Sequence, residues 1–451
     1  MRLKMYVMAV VVLVGFGACN SVPEDFAASD KYRLVWNDDP ARTITIAWDQ
    51  VDSISNPALH YGEADYGRQY WKYGHTQVAT RIRRNYDMNT HFAKLRGLTG
   101  NTTYYFVIKD NQGVSKRYWF KTAPDTPQPF TFIAGGDTKS SGGPLEAGRS
   151  SNRVVAKLRP LFVVFNGDFT SGDGTNPERW ETWLRDWHEL TTTSDGRMIP
   201  IVPVHGNHEN GDMANLTYIF DAPYQDDDST QVYYSLSFGE NYFHMIQLNS
   251  EIEEGGSQRD WLQDDLQQHQ GYTFKMAGYH KPFFPHTAGK SEQRYQYRQW
   301  AYLFYQYGLN LSLDGDSHMN KITYPLRPDS TGNGYMGFVR DDENGTMFAG
   351  EGSWGARPRA NDDDKPWTLF SGSYNQVKWI HVFPESAESD AHMKIFTVLT
   401  ADYDDSENLI RYNQDIEPLT EANMFEVPQN IALDMPESGA QYVRYPNVAE
   451  N

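Results

Sequence analysis

Residues 162–168 read FVVFNGD. Four apolar residues, Val163 and Val164 among them β-branched, run without interruption into Asp168. A run this short and this apolar reads as a strand buried on both faces, and it stops on a side chain able to hold a metal ion. Upstream, FTFIAGGD (130–137) ends in the same way at Asp137. Downstream, IPIVPVHGNHE (199–209) ends at Asn207 and His208, FKMAGYH (274–280) at His280, and LNLSLDGDSH (309–318) at Asp316 and His318. Helical spacing fills the intervals. Trp180, Trp183, Leu184 and Trp187 fall at i, i+3, i+4 and i+7, as do Trp300, Leu303, Phe304 and Tyr307, and both aromatic stripes read as core packing. Strand, loop and helix in repetition imply α/β layers, and the loops at the carboxyl ends of such strands converge on one crevice.

The residue types at these tips belong to one chemistry. Two metal ions ~3.5–4 Å apart can clamp the attacking and leaving oxygens of an in-line displacement. A carboxylate has two oxygens with which to bridge them, and Asp168, central in the order of tips, is the candidate. Asp316 and His318 stand one residue apart, so in an extended chain they point the same way. A mixture of imidazole and carboxylate suits zinc, manganese or iron, whereas an all-oxygen set would suit magnesium or calcium.

The chain has 451 residues, 39% of them hydrophobic and 14% aromatic, enough for two or three packed domains. A net charge of −19 argues against a partner held through a nucleic-acid backbone. The acidic runs Asp226-Asp227-Asp228 and Asp362-Asp363-Asp364 read as solvated loops, with calcium binding as the lesser alternative. From residue 30 to 124 the pattern is all-β: TITIAW alternates, TYYFVI and RYWF are rich in aromatic and β-branched residues, and turn signals separate them. The stretch LRGLTGNTTYYFVI resembles the core of a fibronectin type III sandwich. Proline-rich TAPDTPQP (122–129) marks the boundary, and residues 125–451 form the second domain.

In this order and with these gaps, GD…NGD…GNHE…H…GDSH resembles the calcineurin-like metallophosphoesterases, and the β-rich segment before it resembles the purple acid phosphatase branch. The resemblance implies a four-layered α/β/β/α catalytic domain behind the sandwich. It also implies hydrolysis of phosphate esters by metal-bound hydroxide at two divalent ions (manganese, zinc, iron or calcium), acting on a small phosphorylated substrate. Asp137 would bind the first metal and Asp168 would bridge; Asn207 and His280 would hold the second, and His318 would return to the first. His208 would stabilise the transferring phosphoryl group or protonate the leaving alkoxide. Glu209 would orient His208 or lie solvated.

Two departures from the family pattern stand out. Ser171 occupies the place of the tyrosine whose phenolate binds ferric iron and gives the purple colour, and Asp316 replaces a usual histidine. The expectation is a colourless enzyme using two divalent ions. Lys139 either offsets the added charge beside the phosphate or is a surface lysine; Asn207 also borders the substrate. His286, in HKPFFPH, binds phosphate or is an ordinary loop histidine. His205 is expected packed near the site and His244 in the core. The segment 330–375, with GEGSWGARPR near its centre, serves recognition or structure. Other activities stay open: a phosphodiesterase acting on nucleotides or lipid headgroups, or a non-catalytic metal-binding surface lipoprotein. The start of the chain supports export. Arg2 and Lys4 precede the apolar run 5–18, a signal peptide over residues 1–18. Cys19, the only cysteine, follows Gly17-Ala18 as in a bacterial lipobox, with 19–29 as a tether. That places the protein in the periplasm or outer membrane on a lipid anchor.

Overall fold

The computed structural model describes residues 21–138, 144–436, 439 and 441–444. Cys19, the signal segment and Lys139 lie outside the described residues. Among those described, no helix is long and apolar enough to cross a membrane.

The strand Phe162–Phe165 explains the second domain. Side chains alternate along a strand. Phe162 therefore stacks on Phe132 and Phe238 on one face, while Phe165 meets Trp183 and Trp187 on the other. Both faces are dry, which is why the run has no polar alternation. Asn176 caps the helix Pro177–Thr191, its side chain accepting from Arg179 N with Pro177 in the first turn. That helix presents Trp180, Trp183, Leu184 and Trp187 to the sheet, as its spacing requires.

Parallel pairing joins Phe130–Gly135, Phe162–Phe165 and Ile201–Pro203, so their carboxyl ends share an edge. Asn375–Phe383 continues the sheet antiparallel beside Phe130–Gly135. A second sheet of seven strands contains Phe243–Gln247, Phe274–Gly278, Leu311–Leu313 and Met347–Gly350 side by side, all parallel. Phe243, Met245, Phe274, Met276, Leu311 and Leu313 turn toward the first sheet and share its core. Ile246, Ala277 and Tyr279 turn away, onto Leu262, Leu266, Trp300 and Phe304 of the helices Gly256–Gln268 and Arg294–Gln306.

The N-terminal region is sheet-rich as expected. One antiparallel sheet holds Ser29–Val35, Ile44–Gln50, Met88–Leu95 and Arg81–Asn85. The other holds His75–Val78, Ala58–Gly62, Thr103–Lys109 and Tyr118–Lys121. Ile44, Ile46, Trp48, Leu59, Phe106 and Phe120 fill the space between them. The proline-rich boundary of the chain is not a boundary of the sheet. Val35 pairs in parallel with Ile201, and Trp36 N donates to Ile201 O at 3.2 Å, so strands of both domains form one twelve-stranded sheet.

Candidate metal centre

All six side chains read as ligands come together. Three arrive from tips of the first sheet and three from tips of the second, across the gap between them. His280 Nε2 lies 3.2 Å from Asp168 Oδ1, 3.2 Å from Asn207 Oδ1 and 3.6 Å from Asp316 Oδ1. His318 Nε2 lies 3.3 Å from Asp137 Oδ1, and the backbone N–H of Asp316 donates to Asp137 Oδ2 at 2.9 Å. Donor atoms of Asp137, Asp168 and His280 all lie within 4.8 Å of one another.

The backbone at the tips is strained in the same place. Asp137, Asp168, Asp316 and His318 have φ of +66°, +57°, +72° and +56°. Non-glycine residues are uncommon there, and such conformations persist where surroundings over-determine them, often at functional sites. Gly167, at φ +86°, makes the turn ahead of Asp168; a Cβ there would sit 2.6 Å from the Gly206 Cα.

Hydrogen bonds fix the ligands from behind. His280 Nδ1 donates to Asn166 O at 2.7 Å, which turns Nε2 into the crevice. Glu209, fully buried, accepts from the backbone N–H groups of Asp168, Phe169 and Gly206 at 2.9, 3.0 and 3.0 Å. It is neither solvated nor bonded to the His208 ring; it ties two tip loops together. Burial and the Asp168 charge push its pKa well up, and the His280 charge and the N–H groups of Asp168 and Phe169 push back only in part.

A cation suits this donor set. Among the described residues no hydrogen bond reaches the buried Asp137 Oδ1, although His318 Nε2 lies 3.3 Å away. Asn207 Oδ1 and Asp316 Oδ1 face each other as acceptors 2.9 Å apart; turning the amide over would instead let its nitrogen donate to Asp316 Oδ1. An ion among these acceptors makes the oxygen-inward orientation the favourable one. The electrostatics agree. Burial alone would lower the His280 pKa, yet Asp168, Asp137 and Asp316 drive it well above the usual imidazole value. Burial would likewise raise Asp168, but His280 and His208 hold it well below the carboxylate range. The cluster is short of positive charge.

His208 stands at the rim with 27% of its side chain exposed. Its backbone N donates to Asp168 Oδ1 at 2.8 Å, Nδ1 bonds Gly172 O, and Nε2 lies 3.6 Å from Asp168 Oδ2. Ser171 sits in the adjoining turn, where Arg179 donates to its carbonyl at 2.6 Å. His205 is buried beneath the tips, both ring nitrogens without partners, its pKa pushed down to about 4 by burial.

The phosphate-binding reading of His286 is corrected. Its ring is fully buried, Nδ1 bonded to Glu351 at 2.9 Å and Nε2 to Thr368 at 2.7 Å, so neither nitrogen is available to a phosphate. Glu351 also pairs with Lys321 at 3.1 Å, and Lys321 with Asp314 at 2.7 Å. This buried ion network connects three loops of the site. A second cluster of potential ligands, His244, Asp265 and His269, is internally satisfied. His244 Nε2 bonds Asp265 at 2.7 Å, and the two imidazoles stack 3.7 Å apart at 13°, so their in-plane lone pairs run parallel instead of converging.

Residues 350–355 complete the centre and carry no metal-ligand signature. Gly352 lies against the Asp137 carboxylate, Trp354 N donates to Gly136 O at 2.8 Å, and Ala356 N to Asp137 O at 2.8 Å. The signal was present in form: MFAGEG is another apolar strand ending at a polar tip, parallel to Leu311–Leu313. Two cations also border Asp316. Lys290 pairs with its carboxylate, and Arg359 donates to its carbonyl at 2.7 Å.

Residues 29–122 match the family described as "Purple acid Phosphatase, N-terminal domain", and residues 146–320 match "Calcineurin-like phosphoesterase". The chain belongs to the purple acid phosphatase-like metallophosphoesterases. This metallophosphoesterase is 26% identical over 324 residues to an uncharacterised protein of Mycobacterium tuberculosis, covering 63% of this chain and 60% of that one. It is 27% identical over 288 residues to purple acid phosphatase 23 of Arabidopsis thaliana, covering 53% and 59%. The chain thus spans about three fifths of the length of these curated relatives. In fold it is similar to purple acid phosphatase PPD1 from yellow lupin, at a TM-score of 0.65 and 15% identity over 83% of this chain and 72% of that one. It is similar also to PhoD, at 0.62 and 12% over 87% and 90%.

Proposed function

We propose that this metallophosphoesterase hydrolyses phosphate esters, with small phosphomonoesters as the first substrate class, at a pair of divalent cations. One observation carries the proposal: six donors from five strand tips converge with their lone pairs facing inward and too little positive charge among them. Asp137 and His318 would hold the first cation, Asn207, His280 and Asp316 the second, and Asp168 both. When bound, two such cations neutralise charge on phosphoryl oxygens and acidify a water for attack.

The chain's own residues supply the rest. His208 is anchored at Nδ1 by Gly172 O, and its Nε2 stands 3.6 Å from Asp168 Oδ2. In its doubly protonated form Nε2 donates to the leaving oxygen as a general acid, a role worth ~10²–10⁴-fold. Glu209 and Asn166 keep the tip loops and the His280 ring in place. With Ser171 in place of a phenolate, the first cation would have one protein ligand fewer and the protein would be colourless.

The test is hydrolysis of p-nitrophenyl phosphate and of its bis-ester by metal-free protein reloaded with manganese, zinc, iron or calcium. We expect metal-dependent turnover that prefers the monoester. His208→Ala should lower kcat by ~10²–10⁴-fold with metal content unchanged, and Asp168→Asn should lose metal and turnover together. Hydrolysis of neither ester with any metal would refute the reading, and preference for the diester would move it to that class. We propose further that the protein works outside the cytoplasm on a lipid attached at Cys19; radiolabelled palmitate incorporation that persists in Cys19→Ser would contradict this.

A further inference from the structure

We propose that Lys290 sets the occupancy of the second cation position by competing for Asp316. This rests on the two-cation reading above. Lys290 lies in the segment between the strand Phe274–Gly278 and the helix Arg294–Gln306, and its N–H donates to Thr287 O at 3.2 Å. The ammonium bonds Asp316 Oδ1. That oxygen is the one turned toward the second position: it lies 3.6 Å from His280 Nε2 and 2.9 Å from the inward-facing Asn207 amide oxygen. A carboxylate oxygen directs two lone pairs in its plane, and an ammonium claims one of them. The same positive charge repels a divalent ion drawn to the other.

The pair also explains how this chain carries an aspartate where the resemblance implies a neutral imidazole. An aspartate alone would add a negative charge to a crevice that already holds Asp137 and Asp168. Asp316 with Lys290 adds none. The substitution is therefore of one neutral unit by another, and its consequence is asymmetry. Lys290 stands on the Asp316 side of the crevice, that of the second position, with 24% of its side chain exposed, so the ammonium can withdraw when a cation arrives. The two cations bind in sequence, the second more weakly.

Calorimetric titration of metal-free full-length protein with Mn²⁺, read together with electron paramagnetic resonance for coupling between two ions, tests this. Wild type should bind one Mn²⁺ tightly and a second at least tenfold more weakly. In Lys290→Met the second constant should tighten at least tenfold while the first stays within twofold. Lys290→Arg should keep the wild-type pattern, since the charge is restored. Asp316→Asn should weaken the second ion alone. Two unchanged constants in Lys290→Met, beside a weakened second ion in Asp316→Asn, would overturn the role of Lys290 and leave the two-cation reading standing. No Mn²⁺ bound to wild type would overturn both. Thermal melts of each variant separate these outcomes from misfolding.

Discussion

Gly352 shows how much of the site depends on atoms no motif contains. Its φ is +51°, and a Cβ there would run into the Asp137 carboxylate. Gly352→Ala must therefore move either the backbone or the first ligand. We expect loss of the first metal, read by elemental analysis, in a protein that still melts cooperatively. Glu209→Gln is milder in shape and opposite in logic. An amide nitrogen would face a backbone N–H that now finds an oxygen. A buried N–H left without an acceptor costs ~1–3 kcal/mol, so the variant should lose about that much stability in urea unfolding and bind metal more weakly. The six side chains that meet in the crevice were legible because strand ends are legible and few residue types bind metals. His286 was not, because nothing local says which way a loop imidazole turns; the buried Glu351 decides it, and Glu351 is 65 residues away. Lys290 was passed over for the same reason, its partner Asp316 being 26 residues distant.

Among elements, the helix Pro177–Thr191 was legible in its buried face, since Trp180, Trp183, Leu184 and Trp187 fall at the spacing the structure buries. The tip that follows Met347–Gly350 was not. Its glycines and tryptophan bear no periodicity, yet Trp354 is fully buried, packed on Phe165 at 5.2 Å and on Gly135. It acts as a wedge between the helix tryptophans and the strand carrying Asp137. Phe/Trp→Ala changes in cores typically cost ~3–5 kcal/mol. Trp354→Ala should cost as much in urea unfolding, and it should weaken the first metal as well, since Trp354 N holds Gly136 O. A variant that is destabilised yet binds metal normally would confine the residue to packing.

At the scale of the whole molecule, the sequence showed two regions and concealed their joint. Strands were readable in each, but the pairing of Val35 with Ile201 spans 166 residues and leaves no mark in either segment. The shared sheet also carries a pH dependence. His381, on Asn375–Phe383, is buried among Trp379 and Phe396, and burial, then the charge of Lys394, pushes its pKa down to about 3. The unfolded value is near 6.5. Between the two, the unfolded chain binds the extra proton. This contribution is therefore complete above about pH 6.5 and drains away as pH falls toward 3. Metal-free protein should lose stability along that limb, and His381→Phe should flatten it; an unchanged limb in the variant would assign the loss to other groups. If donors from both sheets grip two ions at one place, anomalous diffraction from crystals soaked in Mn²⁺ should reveal them. Two peaks ~3.5–4 Å apart are expected, one beside Asp137 and His318, the other beside Asn207, His280 and Asp316, with Asp168 touching both. Strong peaks elsewhere and none in this crevice would contradict it.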